Sequence, residues 1–252
     1  MIEQTRDDVE YYYDSHPTEE DLMAESWLHA ELVDYLKSVL VWLFREQVCT
    51  IYTNFNFYQT AVEDEHPLAP DVAIIKGATR GPIRSWRVGT HGPSPQVVFE
   101  IASEETWSRD LAEKPAAYNE LGVQEYYAYD PNDPPLSASR RERRRLFGWQ
   151  RDRSTGLLLN LPLRSDGSLW SPHLDSFLIP DGAYLRLYDS FWRLRLTEAE
   201  AEAEARRAAL HLAEVEAEAR RAALRLAKAE AEKARTFAEK LRSLGIDPEQ
   251  LI

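Results

Sequence analysis

The sequence predicts an α/β domain over roughly its first 190 residues, a mixed sheet flanked by helices, followed by one long charged helix. Three observations carry this. Apolar residues recur at helical spacing before residue 47. A series of short apolar and aromatic segments then follows, punctuated by Gly and Pro. Finally an Ala/Glu/Arg-rich stretch repeats itself near the end. A helix, strands, a second helix, and further strands are the pattern of a sheet with strands running both ways.

The first element spans Glu25–Gln47, where Leu28, Leu32, Leu36, Leu40 and Leu43 share a helix face with Val33 and Val39 beside them. VCTIY and NFNFYQT read as two strands joined by a turn near Thr53–Asn54. Pro70-Asp71-Val72-Ala73-Ile74-Ile75 reads as a buried strand entered from a proline. Residues 77–95 hold four Gly and three Pro and predict a loop. QVVFEIAS is another core strand, Asp110–Leu121 a helix stopped by Gly122, and EYYAYDP a strand ended by Pro131. From about 145 to 190, turn signals at Ser154-Thr155-Gly156, Asp166-Gly167 and Asp181-Gly182 separate antiparallel strands.

The tail differs in kind. Ala201–Leu210 (AEAEARRAAL) returns as Val215–Leu224 (VEAEARRAAL), an offset of two heptads. Glu202–Arg206 and Glu216–Arg220 stand at i, i+4, which supports a helix on its own surface. Gly245 and Pro248 end it. The boundaries expected are an acidic arm over 1–24, a folded domain over 25–196, and a helix over 197–252 that either pairs as a coiled coil or stands alone on its charge pairs. Pairing implies a homodimer or higher oligomer.

Composition excludes several classes. The formal net charge of -13 is concentrated at the start, where residues 1–31 hold ten acids against Arg6 alone. Bulk acidity argues against indiscriminate nucleic-acid binding, while a local basic surface on the nearly neutral middle stays open. Cys49 is the one cysteine, which excludes an internal disulfide. The apolar run Val39–Phe44 is far too short to span a bilayer, and the N-terminus lacks a secretory pattern. A cytoplasmic protein with no membrane association is expected. There is no glycine-rich phosphate loop, nucleophile elbow or Cys/His zinc spacing, and His66 and His91 read as surface histidines.

The chemistry rests on misplaced carboxylates. Asp71 heads a buried strand, where capping a turn is the bland reading. Glu100 sits among Val97, Val98, Phe99 and Ile101, and a glutamate there needs a metal, a cation or an edge position. Two acids on successive strands can converge on one hard cation, Mg²⁺ or Mn²⁺. Asp110, Lys114 and Tyr118 stand at i, i+4, i+8 on one helix face. They are either an exposed ion pair over a packed tyrosine or a lysine delivered to the acids. An acid pair and a lysine form a minimal set for metal-assisted phosphodiester hydrolysis. Arg140, Arg141, Arg143, Arg144 and Arg145 form a basic cluster between two strands, a candidate DNA-backbone contact or a solvated hairpin tip.

Pro70-Asp71 followed by Glu100 resembles the PD-(D/E)xK nuclease pattern. The ordered series Phe99-Glu100-Ile101-Ala102-Ser103, Asp110, Lys114, Tyr118, Gly122-Val123, Glu125-Tyr126 and Asp130-Pro131 resembles the Uma-two family of that superfamily. His29 and Glu31 in the first helix, and Leu-Gly-Ile-Asp-Pro at 244–248, are similar to it as well. The resemblance implies a restriction-endonuclease-like fold, Asp71 and Glu100 as metal ligands, Glu31 as a third, and His29, Asp110 and Tyr118 in support. Where the wider motif has lysine two residues after the glutamate, this chain has Ala102, and the branch implies Lys114 instead. Pro115 fits a helix beginning near Lys114. Two functions follow as expectations: a metal-dependent endonuclease acting on DNA, or a catalytically degenerate interaction module assembled through the coil.

Overall fold

The structure, a computed structural model, describes residues 27–59, 66–79, 81–103, 106–132, 135–136 and 144–245. The acidic arm expected over 1–24 lies outside them. The chain divides at Glu198/Ala199 into two compact units. Among the described residues no helix is long and apolar enough to cross a membrane.

The first unit is organised by a six-stranded mixed sheet in the order β1-β3-β5-β6-β7-β8. These are Cys49–Tyr52 (β1), Val72–Lys76 (β3), Val97–Ile101 (β5), Glu125–Tyr129 (β6), Leu146–Arg151 (β7) and Leu158–Asn160 (β8). Only β5 and β6 run parallel, and the segment between them carries the short helices α2 (Trp107–Ala112) and α3 (Lys114–Leu121). A parallel pair requires such a crossover, whereas the antiparallel pairs do not. The two-residue strands β2 (Phe57–Tyr58) and β4 (Trp86–Arg87) pair parallel with each other, off the main sheet. β1 and β2 are therefore not a hairpin. Asn54 takes φ 48 and turns the chain away after Tyr52, and β1 pairs with β3 instead. A second, antiparallel sheet joins β9 (Leu169–Ser171), β10 (Ser176–Asp181) and β11 (Tyr184–Tyr188).

Both faces of the main sheet are covered, so its central strands are apolar almost without interruption. One face buries Val72, Ile74, Val97, Phe99, Ile101, Tyr127 and Tyr129 against helix α1 (Trp27–Leu43) and the second sheet. α1 contributes Leu32, Leu36, Val39 and Leu40, which follow its helical period. The other face buries Ala73, Ile75, Val98, Tyr126 and Ala128 against Trp107, Tyr118 and Leu121 of α2 and α3.

Glu125 crosses to the second sheet. Its buried carboxylate accepts the Ser171 hydroxyl and the His173 amide at 3.1 Å. Burial pushes this carboxyl above its ordinary value although these donors oppose the shift. Gly148 lies where Leu169 approaches the main sheet. An added Cβ would meet Leu169 Cδ1 at 2.6 Å and the Tyr127 ring at 3.0 Å.

The second unit contains α4 (Glu198–Ser243), 46 residues with no buried side chain. Gly245 follows it at φ 76.

Gly148→Ala is expected to destabilise the first unit by about 1–3 kcal/mol through overpacking. The denaturant midpoint measured beside a control at an exposed position checks this.

Candidate active site

The β3–β5 pairing sets the site. Val72 faces Phe99 in the antiparallel register, so the next step outward brings Asp71 opposite Glu100. Asp71 Oδ2 accepts the Ile101 N–H at 2.7 Å and lies 3.1 Å from His29 Nε2 of α1. The Asp71 amide points at Glu100 Oε2, 3.4 Å away. One carboxylate thus ties β3 to β5 and to the start of α1.

Alternation along β5 directs Glu100 to the face covered by α2 and α3. The Tyr118 hydroxyl donates to Glu100 Oε1, and Lys114 Nζ lies 3.0 Å from the same oxygen. Lys114 Nζ also lies 2.7 Å from Asp110 Oδ1. Thr106 Oγ1 donates to Asp110 Oδ2 at 3.1 Å, and the Tyr126 hydroxyl donates to the Asp110 carbonyl at 2.7 Å. The Tyr126 ring packs between those of Tyr118 and Trp149, each centroid 4.9 Å away.

The helix expected over Asp110–Leu121 is two helices. Pro115 has no N–H to return to the carbonyl of Leu111, and the chain breaks at Glu113 (φ -104, ψ -46). Pro115 then stands in the first turn of α3, where it costs nothing. The Glu113 amide still reaches the Arg109 carbonyl at 2.9 Å, so Asp110, Lys114 and Tyr118 keep a common side across the break. Gly122 ends α3 at φ 89, with the Gly122 and Val123 amides returning to Asn119 and Tyr118.

Two buried carboxyls, those of Glu100 and Asp110, contact one ammonium, and a third, that of Asp71, stands opposite Glu100 in the register. Burial pushes Glu100 up to about 8, and the neighbouring Asp71 and Asp110 add to the rise while Lys114 opposes it. Burial raises Asp110 as well. Burial works against the Lys114 ammonium, yet Glu100 and Asp110 outweigh it and hold the pKa above the ordinary 10.5. Burial and the adjacent Glu100 raise the Tyr118 phenol, which stays protonated.

Sequence reasoning brought His29, Asp71, Glu100, Asp110, Lys114 and Tyr118 forward, and the fold joins all six in one network. Glu31 does not join it. Two residues on from His29 a helix has turned by about 200°, and exposed Glu31 accepts the Tyr184 hydroxyl of β11 instead. Among the described residues no three His, Cys, Asp or Glu side chains gather closely enough to hold a metal ion. Arg140, Arg141 and Arg143 lie outside the described residues. Arg144 and Arg145 are committed to the fold. Arg145 binds the carbonyls of Asp130 (2.9 Å) and Pro131 (2.6 Å), and Arg144 those of Leu146 (2.8 Å) and Leu161 (3.1 Å). Thr106 was not singled out by sequence reasoning, and Tyr126 entered it only as part of the family series, with no role at the site. Thr106 stands four residues before Asp110, a helix-start signal that could have found it.

The family profile described as "Uma2: Putative restriction endonuclease" matches residues 3–170. The chain belongs to the Uma2 family. Within this Uma2 chain the match runs through α1, the main sheet and the start of β9, and so includes every residue of the network. A solved structure described as a "putative nuclease belonging to DUF820", from Anabaena variabilis, is similar at 13% identity and a TM-score of 0.42, covering 60% of this chain and 75% of that one. Among curated proteins none matches.

The native Glu100 carboxyl holds a proton that the unfolded chain releases above its ordinary 4.5. Its stabilising contribution is therefore complete below 4.5 and is lost as pH rises through about 8. In chelator, wild type is expected to lose stability from pH 6 to pH 8.5, and Glu100→Gln to show a shallower loss. Guanidinium unfolding of both proteins at the two pH values measures it.

Proposed function

We propose that this domain is a metal-dependent endonuclease that hydrolyses DNA phosphodiester bonds. Family membership supports a restriction-endonuclease-like nuclease. The observation that carries the finer reading is the meeting of Asp71, Glu100 and Lys114 in one buried network.

The donor set fits Mg²⁺ or Mn²⁺. Two carboxylates on adjacent strands, in a cluster with more acid than base, suit a hard cation that keeps water and substrate oxygens as its other ligands. Asp71 and Glu100 would hold it. When bound, the ion supplies an acidified water and charge neutralisation at the scissile phosphate. Lys114, kept protonated by its two acids, stabilises charge developing on the phosphate. Asp110 and Thr106 fix the lysine, Tyr118 fixes Glu100, and His29 with the Ile101 amide fixes Asp71. Lys114 here does what the lysine two residues past the glutamate does in the wider motif, at which position this chain has buried Ala102.

Plasmid and oligonucleotide DNA incubated with Mg²⁺ or Mn²⁺ test the proposal, with an RNA substrate alongside. Asp71→Ala, Glu100→Ala and Lys114→Ala are each expected to lower the rate by at least about 100-fold. Retained cleavage by Lys114→Ala would leave the metal site and remove the lysine from it. An inert wild type that binds no metal would instead favour the interaction module.

Metal binding at pH 7 is expected to release close to one proton, because Glu100 must ionise, and almost none at pH 9.5. Calorimetry in buffers of different ionisation enthalpy counts the protons.

A further inference from the structure

Helix α4 buries no side chain, yet it carries Leu210, Leu212, Val215, Leu224 and Leu226, each at least half exposed. The residues Ala201, Ala205, Ala208, Leu212, Val215, Ala219, Ala222, Leu226 and Ala229 alternate at spacings of four and three. That is an unbroken heptad seam of small and aliphatic side chains, which lets two helices approach closely. An isolated helix has no use for it.

The charges say which way a partner lies. Residues 198–220 hold seven glutamates against Arg206, Arg207 and Arg220. Residues 221–243 hold seven lysines and arginines against Glu230, Glu232 and Glu239. The halves carry -4 and +4. The helix dipole favours acids at the start and bases at the end, but its effect fades within one turn. Removing the first and last four residues still leaves -2 and +2, so the segregation extends into the interior of the helix. Parallel pairing of two copies would set like charge against like along the whole length. Antiparallel pairing sets each acidic half against a basic half.

We propose that α4 is a self-association element that pairs with α4 of a second copy in antiparallel orientation. The occupant is a second copy because the charge pattern is complementary to its own reverse. This separates the two points at which the domains join the paired helices.

Spin labels on the full-length chain test it. Cys49→Ser removes the native thiol, and Ala203→Cys or Ala217→Cys places one label away from the seam. Antiparallel pairing predicts a separation beyond about 35 Å between labels at 203 and within about 30 Å at 217, from 1.5 Å rise per residue and an interaxial distance near 10 Å. Short distances at both positions would mean parallel pairing and overturn the proposal. So would long distances at both, or no dipolar coupling with a monomeric mass in sedimentation equilibrium. The dimer Kd is expected to weaken about tenfold between 50 and 500 mM salt, as attraction between opposite halves is screened. Tightening with salt would overturn it independently.

Discussion

The candidate site depends on one cost, the desolvation of Glu100. A carboxylate in the middle of a sheet covered on both faces must find a cation, a donor or a proton. The fold supplies all three: Lys114 at 3.0 Å, the Tyr118 hydroxyl, and a pKa pushed up to about 8. Lys114 in turn needs Asp110 at 2.7 Å, and Asp110 needs Thr106 and the start of α2. The α2–α3 crossover therefore both connects two parallel strands and neutralises one of them. Pro115 allows the helix to break without losing the common side on which these residues meet.

Glu125 shows what a buried glutamate looks like without such a network. It sits on the adjacent strand, directed to the opposite face, and takes the Ser171 hydroxyl and the His173 amide. Those partners are on the segment joining the second sheet, so its work is to hold that sheet in place. The contrast explains why burial of an acid does not by itself mark chemistry. The distinguishing features at Glu100 are a cation within contact and a second carboxylate opposite in the register.

Much of this was legible in the sequence because it is periodic. α1 follows a 3.6-residue hydrophobic period, α4 repeats over two heptads, the central strands are apolar runs bounded by turn residues, and Gly122 marks the end of α3. Five of the six network residues stood out because Asp71 and Glu100 interrupt apolar strands and Asp110, Lys114 and Tyr118 share a helix face, while His29 came forward only through the family resemblance. The errors fall where the outcome is decided by tertiary pairing. Adjacent strands β1 and β2 share a turn but not a ladder, since β1 is taken by β3. Glu31 is two residues from His29, and only the placement of β11 shows that Tyr184 claims it. Arg144 and Arg145 look like a charged tip in sequence, whereas their guanidiniums bind backbone carbonyls that no local pattern reveals.

The length of α4 has a geometric meaning. Its 46 residues extend about 69 Å, a distance comparable to about 20 base pairs of duplex. Under antiparallel pairing the two points at which the chains enter the rod would lie near its opposite ends, so α4 would act as a spacer as well as a dimer contact.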